Sequence, residues 1–264
     1  MGEVTTSDGV RIHYDVEGRA DDPPLVFSNS LGTNLHLWEA QAAEAVRKGF
    51  RVIRYDQRGH GKSEAPAGDY TQERLGLDVI DLLDALKIDK AAWCGLSMGG
   101  MAGIWLARRH PQRFSRMALC NTSSHMPTHE FWNARIKAVR DGGMEAIADS
   151  VLERWLTAAF REREPIETSR VREMIVATDP IGYVGCCAAI RDMDFRDLLS
   201  GIEVPVLVVI GARDPATTPA QGEFIVAHLP GTRKAVLDGA HLSNIECRGT
   251  FNRIVLDFLA GSTA

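Results

Sequence analysis

The feature that most constrains the fold is an alternation of two kinds of segment. Short apolar runs at residues 25–27, 51–55, 91–94 and 116–120 read as strands buried on both faces, and helix-period segments at 36–46, 71–86 and 98–109 fall between them. Parallel neighbours need a crossover, so this rhythm predicts an α/β fold: a mostly parallel sheet covered by helices. Ahead of it, residues 10–16 alternate apolar and polar and stop at Glu17-Gly18, which predicts an amino-terminal strand at the sheet edge. The rhythm breaks after Cys120, and the next β-like run, 204–210, comes more than eighty residues later. The intervening stretch is helical in pattern at 130–140, 144–157, 166–177 and 183–193, punctuated by Gly142-Gly143, Pro165 and Pro180. It is expected to be a helical cap, residues 125–194, inserted into a core formed by 1–124 and 195–264. A helix at 221–228, a strand at 234–237 and a helix at 250–259 resume the core.

Composition narrows the function classes. A chain of 264 residues with 45% hydrophobic and 25% charged residues has the makings of one large core. Its formal net charge of -5 provides no broad positive field for a phosphate backbone, so nucleic acid is not an expected partner. The five cysteines are odd in number and two are adjacent, which suits reduced thiols in a cytoplasm better than a disulfide framework. No run of 18 apolar residues occurs, and no membrane association is expected.

The chemistry is concentrated in Gly95-Leu96-Ser97-Met98-Gly99, a GxSxG motif where a buried strand gives way to a helix. Small residues permit a sharp turn that lifts the Ser97 hydroxyl clear of the sheet and leaves the Met98 amide facing the same space as an oxyanion donor. A serine needs a base to act as nucleophile. Of the eight histidines, His241 fits: it follows the last predicted strand in a small-residue loop, Asp238-Gly239-Ala240. His13 lies on an early strand, His36, His110 and His228 on or beside helices, and His60, His125 and His129 in exposed-looking segments. Asp214 ends the loop after the 204–210 strand, which gives the order serine, aspartate, histidine; the alternative acid position after Cys120 holds Asn121. The second oxyanion donor is expected from Ser28-Asn29-Ser30-Leu31-Gly32, with the Leu31 amide nominated. Two other motifs fail. Gly61-Lys62-Ser63 has Asp56 where a phosphate loop opens on glycine, and His129-Glu130 has Asn133 where a zinc helix needs its second histidine. No cofactor or metal is expected.

With Asp56-Gln57-Arg58-Gly59-His60-Gly61-Lys62-Ser63 and the Ser97, Asp214 and His241 stations, the chain resembles the α/β-hydrolase superfamily along nearly its whole length. Through Ser28–Thr33, Glu153-Arg154-Trp155 and the segment 186–194 it resembles, more narrowly, the 3-oxoadipate enol-lactonases of aromatic catabolism. That resemblance implies hydrolysis of an anionic enol lactone without a cofactor, and hence a cap group to meet the substrate carboxylate. Trp132 and Arg135, three apart on one predicted helix, share a face and are the first candidates; Trp155 and Arg191 are the second. Trp132 fits equally well as cap core and Arg135 as a solvated charge. A general carboxylesterase, a cofactor-free perhydrolase and a carbon–carbon bond hydrolase would share the triad, since specificity resides in the cap. A non-catalytic ligand receptor on the same fold is the rival of another class, and oligomeric state is left open.

Overall fold

The computed structural model describes residues 1–261. Its sheet has eight strands: β1 (Gly2–Thr5), β2 (Arg11–Glu17), β3 (Pro24–Ser28), β4 (Arg51–Tyr55), β5 (Ala91–Leu96), β6 (Phe114–Cys120), β7 (Val206–Gly211) and β8 (Arg233–Leu237). They lie in the order β1-β2-β4-β3-β5-β6-β7-β8, with β1 and β2 antiparallel and all pairs from β4 to β8 parallel. The strand expected at the edge, β2, is in fact second. Its outer side is taken by β1, with Val4 opposite Ile12, so the exposed edge is only four residues long, a short edge of the kind that limits edge-to-edge pairing.

Helices α1 (Glu39–Arg47), α2 (Gln72–Ala85) and α3 (Met98–Arg109) make the early crossovers. Between β6 and β7 come α4 (His129–Gly142), α5 (Glu145–Trp155), α6 (Ala158–Arg163), α7 (Pro165–Val176) and α8 (Pro180–Arg191). Four helices were expected in that stretch; α6, six residues long, is too short to leave a periodic signal. Each of α4, α6 and α8 starts on a side-chain cap, Thr128, Thr157 and Asp179 in turn, which accepts hydrogen bonds from first-turn amides. The chain closes with α9 (Pro219–His228), α10 (Ser243–Glu246) and α11 (Arg248–Leu259).

The central strands are apolar throughout because both faces are covered. Phe27, Cys94, Cys120 and Val209 face one core with Trp38, Phe251 and the α4–α8 layer, while Val26, Trp93, Leu119 and Val208 face a second core with Val79, Ile104 and Ile225. The α4–α8 layer is tied to the core by Leu242 N–H to the Trp155 carbonyl (3.0 Å) and by Tyr70 N–H to the Gly185 carbonyl (3.0 Å). Among the described residues, no single helix is long and apolar enough to cross a membrane.

Candidate active site

The end of β5 turns into α3 at one residue. Ser97 sits at φ 56°, ψ −114°, a conformation costly for any residue with a Cβ. The flanking glycines make the room. A Cβ on Gly95 would lie 2.2 Å from the Gly99 carbonyl oxygen, and one on Gly99 would lie 2.4 Å from that of Ser28. The turn is pinned to β6 and its following loop from both sides: Ser97 N–H donates to the Cys120 carbonyl (2.9 Å) and the Thr122 hydroxyl donates to the Ser97 carbonyl (2.7 Å).

Loops after β7 and β8 bring up the other two stations. His241 Nδ1 is 2.8 Å from Asp214 Oδ2. A carboxylate at that distance calls for a proton on Nδ1, which leaves Nε2 as the basic nitrogen. Asp214 is buried, and its oxygens take hydrogen bonds from the amides of Ala216 (2.8 Å) and Thr217 (3.0 Å), the Thr217 hydroxyl (2.7 Å) and Asn121 Nδ2 (3.1 Å). Burial opposes its ionisation, but the His241 charge and the bonds from His241, Thr217 and Asn121 outweigh burial and hold the carboxyl below its ordinary range. Asn121 also donates to the Ala240 carbonyl (3.1 Å) and accepts from the Ser243 hydroxyl (2.5 Å). It therefore ties the acid loop to the histidine loop. Sequence reasoning noted only that Asn121 lacks a carboxylate.

Ser97, His241, Leu31, Trp132, Arg135 and Trp155 meet at one cavity of about 40 Å³ between the strand ends and the α4–α8 layer. The Trp155 ring lies 5.9 Å from the His241 ring, and Met101, Met126, Val151 and Ile190 complete an apolar wall. The Leu31 amide makes no backbone hydrogen bond, and the Met98 amide, first in α3, is one of the four a helix start leaves over. Neither N–H is therefore spent on a backbone partner.

Two placements differ from the sequence reading. Arg191 is not on the cavity: it is held outside by Asp192 (2.7 Å), Asp69 (3.1 Å) and Asn133 (3.1 Å). Its neighbour Ile190 lines the cavity instead, because one residue along a helix is about 100° of rotation. Arg154 is the cation the sequence reading passed over. It lines the cavity with Arg135, and both guanidinium groups stand over the aromatic ring of Phe131, at 5.2 and 5.0 Å from its centroid. Neither forms an ion pair among the described residues; Arg135 donates to the Tyr183 hydroxyl (3.3 Å) and Arg154 to the Pro215 carbonyl (3.1 Å). Burial, and then the neighbouring Arg135, disfavour the charged form of Arg154. The Trp132 indole N–H is buried without an acceptor. The site brings a serine hydroxyl, an imidazole and two guanidinium groups without ion pairs around a mostly apolar space. Among the described residues, no group of three His, Cys, Asp or Glu side chains is placed to hold a metal ion.

Comparison with known proteins agrees with this fold. A model of the α/β-hydrolase fold family matches residues 23–160. 3-Oxoadipate enol-lactonase 2 of Acinetobacter baylyi is 42% identical over 253 residues, 96% of this chain and 94% of its own. The crystal structure of the enol-lactonase from Burkholderia xenovorans superposes with a TM-score of 0.96 at 46% identity, covering 98% of this chain and 100% of that one. A hydrolase from Pseudomonas aeruginosa gives 0.95 at 44% identity, with 98% and 97% covered. The chain belongs to the α/β-hydrolase family, within the branch that holds these enol-lactonases.

Proposed function

We propose that the chain is a cytoplasmic serine hydrolase that opens the ring of 3-oxoadipate enol-lactone to give 3-oxoadipate. The observation that carries this reading is the pair of guanidinium groups, Arg135 and Arg154, in no ion pair among the described residues, that line the same mostly apolar cavity as Ser97. Cations held without a carboxylate are costly unless an anion arrives, and an enol lactone with a carboxymethyl arm brings one. The enol-lactonase relatives point to the same substrate.

In this reading Ser97 Oγ attacks the lactone carbonyl while His241 Nε2 takes its proton, and Asp214 holds the Nδ1–H tautomer and stabilises the imidazolium. Charge collecting on the carbonyl oxygen is met by the amides of Leu31 and Met98. Collapse expels the ring oxygen as an enolate, which is protonated and becomes the ketone. Water deprotonated by His241 then releases the new carboxylate from Ser97. Arg135, Arg154 and the Trp132 N–H supply donors for the substrate's own carboxylate, with Trp155 as a wall beside the imidazole.

The test is ultraviolet loss of the enol-lactone chromophore with purified protein, beside neutral p-nitrophenyl esters of similar size. The acid lactone should show the far higher kcat/KM. Ester turnover without lactone opening would reject the substrate and leave the hydrolase reading standing.

A further inference from the structure

The segment from Asp56 to Ser63 takes no part in the chemistry above, yet it runs directly beneath the oxyanion loop. His60 was placed by sequence among the exposed-looking histidines; it is 1% exposed. Its Nε2 is 2.8 Å from the Gly32 amide, and its Nδ1 is 3.2 Å from the Arg58 carbonyl. A backbone amide can only donate and a carbonyl can only accept, so the two contacts fix the neutral tautomer with the proton on Nδ1. Burial favours the same neutral form, pushing the imidazole down to about 4.

Gly32 follows Leu31, whose amide is the proposed second oxyanion donor. Gly32 has φ +78°, a left-handed conformation that glycine enters and leaves about equally readily, so its own backbone does not fix the peptide and its contacts must. Tyr183 of α8 closes its other side: a Cβ on Gly32 would lie 3.1 Å from the Tyr183 ring. The loop that carries His60 is itself clamped to α8. A Cβ on Gly59 would lie 2.4 Å from Gly182 Cα, and one on Gly182 would lie 2.2 Å from Gly59 Cα. The Cys186 thiol lies 3.6 Å from the same Arg58 carbonyl that accepts the hydrogen bond from His60 Nδ1.

We infer that His60 is a positioning residue for the oxyanion hole: by accepting the Gly32 N–H it fixes the 31–32 peptide, which shares the Leu31 Cα with the 30–31 peptide that carries the Leu31 N–H, and so limits the rotations by which that N–H could turn away from the reacting carbonyl oxygen while referencing it to helix α8. The inference rests on the serine hydrolase reading but not on the identity of the lactone. An oxyanion donor acts only when it lies about 2.7–3.1 Å from the developing charge, so once the 31–32 peptide is released, a small compensating rotation about the Leu31 backbone that shifts its N–H costs transition-state binding and leaves substrate binding alone.

The experiment uses His60→Leu, His60→Asn and His60→Gln with p-nitrophenyl acetate. Enzyme concentration is set by titration with an organophosphonate, and folding is checked by thermal melting. Leucine removes the acceptor, asparagine is too short to reach Gly32, and glutamine returns an amide oxygen near the position of Nε2. Removing an oxyanion donor outright costs about 10²–10³-fold, so its misplacement in His60→Leu and His60→Asn should lower kcat by about 10- to 100-fold with KM within about threefold. Affinity for an aryl trifluoromethyl ketone, whose adduct with Ser97 carries an oxyanion, should fall by the same factor as kcat/KM, and His60→Gln should recover most of both. A merely structural histidine would lower the melting temperature and the titratable fraction without moving kcat per titrated site. If leucine does not fold, the asparagine–glutamine pair makes the same comparison. Folded variants with unchanged kcat, or with ketone affinity that does not track it, would overturn the inference alone. A wild type inert to both ester and phosphonate would remove the hydrolase reading and this inference together.

Discussion

Removal of the paired cations should separate an acid from its ester. Arg135 and Arg154 each stand about one ring's distance from Phe131 and neither has a carboxylate partner among the described residues. A hydrogen bond to a charged group contributes about 1.5–3 kcal/mol, and about 1.4 kcal/mol is a factor of ten, so a fully desolvated contact would be worth about 10- to 150-fold. Both side chains are only half-buried, and solvent screening places each single loss toward the lower end, about 10- to 30-fold in kcat/KM. The assay is kcat/KM for the acid lactone and its methyl ester with wild type, Arg135→Ala, Arg154→Ala and the double variant. The acid should lose that factor and the ester less than about threefold, since the neutral arm needs no counter-charge. If both guanidinium groups meet the same carboxylate, the double variant should lose less than the product of the single losses. Because Arg154 is held in a fold that disfavours its charge, Arg154→Ala should not lower the melting temperature of the ligand-free protein by more than about 2 °C. Equal losses for acid and ester would refute the reasoning and leave the arginines as packing for Phe131.

Ser97→Ala and His241→Ala should each abolish most turnover, and Asp214→Asn should lower kcat by about 10⁴-fold through the wrong imidazole tautomer; steady-state kinetics on a p-nitrophenyl ester decide it. Asp214 ionises more readily in the fold than its ordinary value of 3.8, so the stability it contributes is present above that pH and is lost as pH falls through the lower folded value. Thr217→Val removes one of the bonds that depress it, and the acid midpoint of unfolding, followed by circular dichroism, should move to higher pH; an unchanged midpoint would count against this account. Gly182→Ala would press a methyl group into the Gly59 backbone, and overpacking of this kind costs about 1–3 kcal/mol, or about 2–10 °C in Tm for a chain this long. A variant that melts within 1 °C of wild type, by the ~1 kcal/mol floor of that range, would show that the two segments part at little cost.

What was legible in the sequence follows from where the chemistry sits. Ser97, Asp214 and His241 each occupy the loop at the carboxyl end of a strand, and in a parallel sheet those ends share one edge, so placing the strands already gathers the three side chains. Met98 followed from the turn itself. The cap residues lack that lever. Trp132 and Arg135, nominated from their helical spacing, and Trp155, a second candidate, all line the cavity, whereas the inward face of α8 depends on what packs against it, and Ile190 rather than Arg191 is the inward neighbour. Arg154 was quoted for its resemblance and passed over for its chemistry, since nothing local says that it lacks an acidic partner. His60 shows the same limit from the other side. A histidine between two glycines reads as a solvated turn, and only the return of the 28–33 loop over it turns a polar, flexible-looking motif into a buried acceptor with a fixed tautomer. Residues that do chemistry through strand ends are therefore readable from order along the chain, while residues that aim or charge the site through loop and helix contacts need the fold before their roles can be argued.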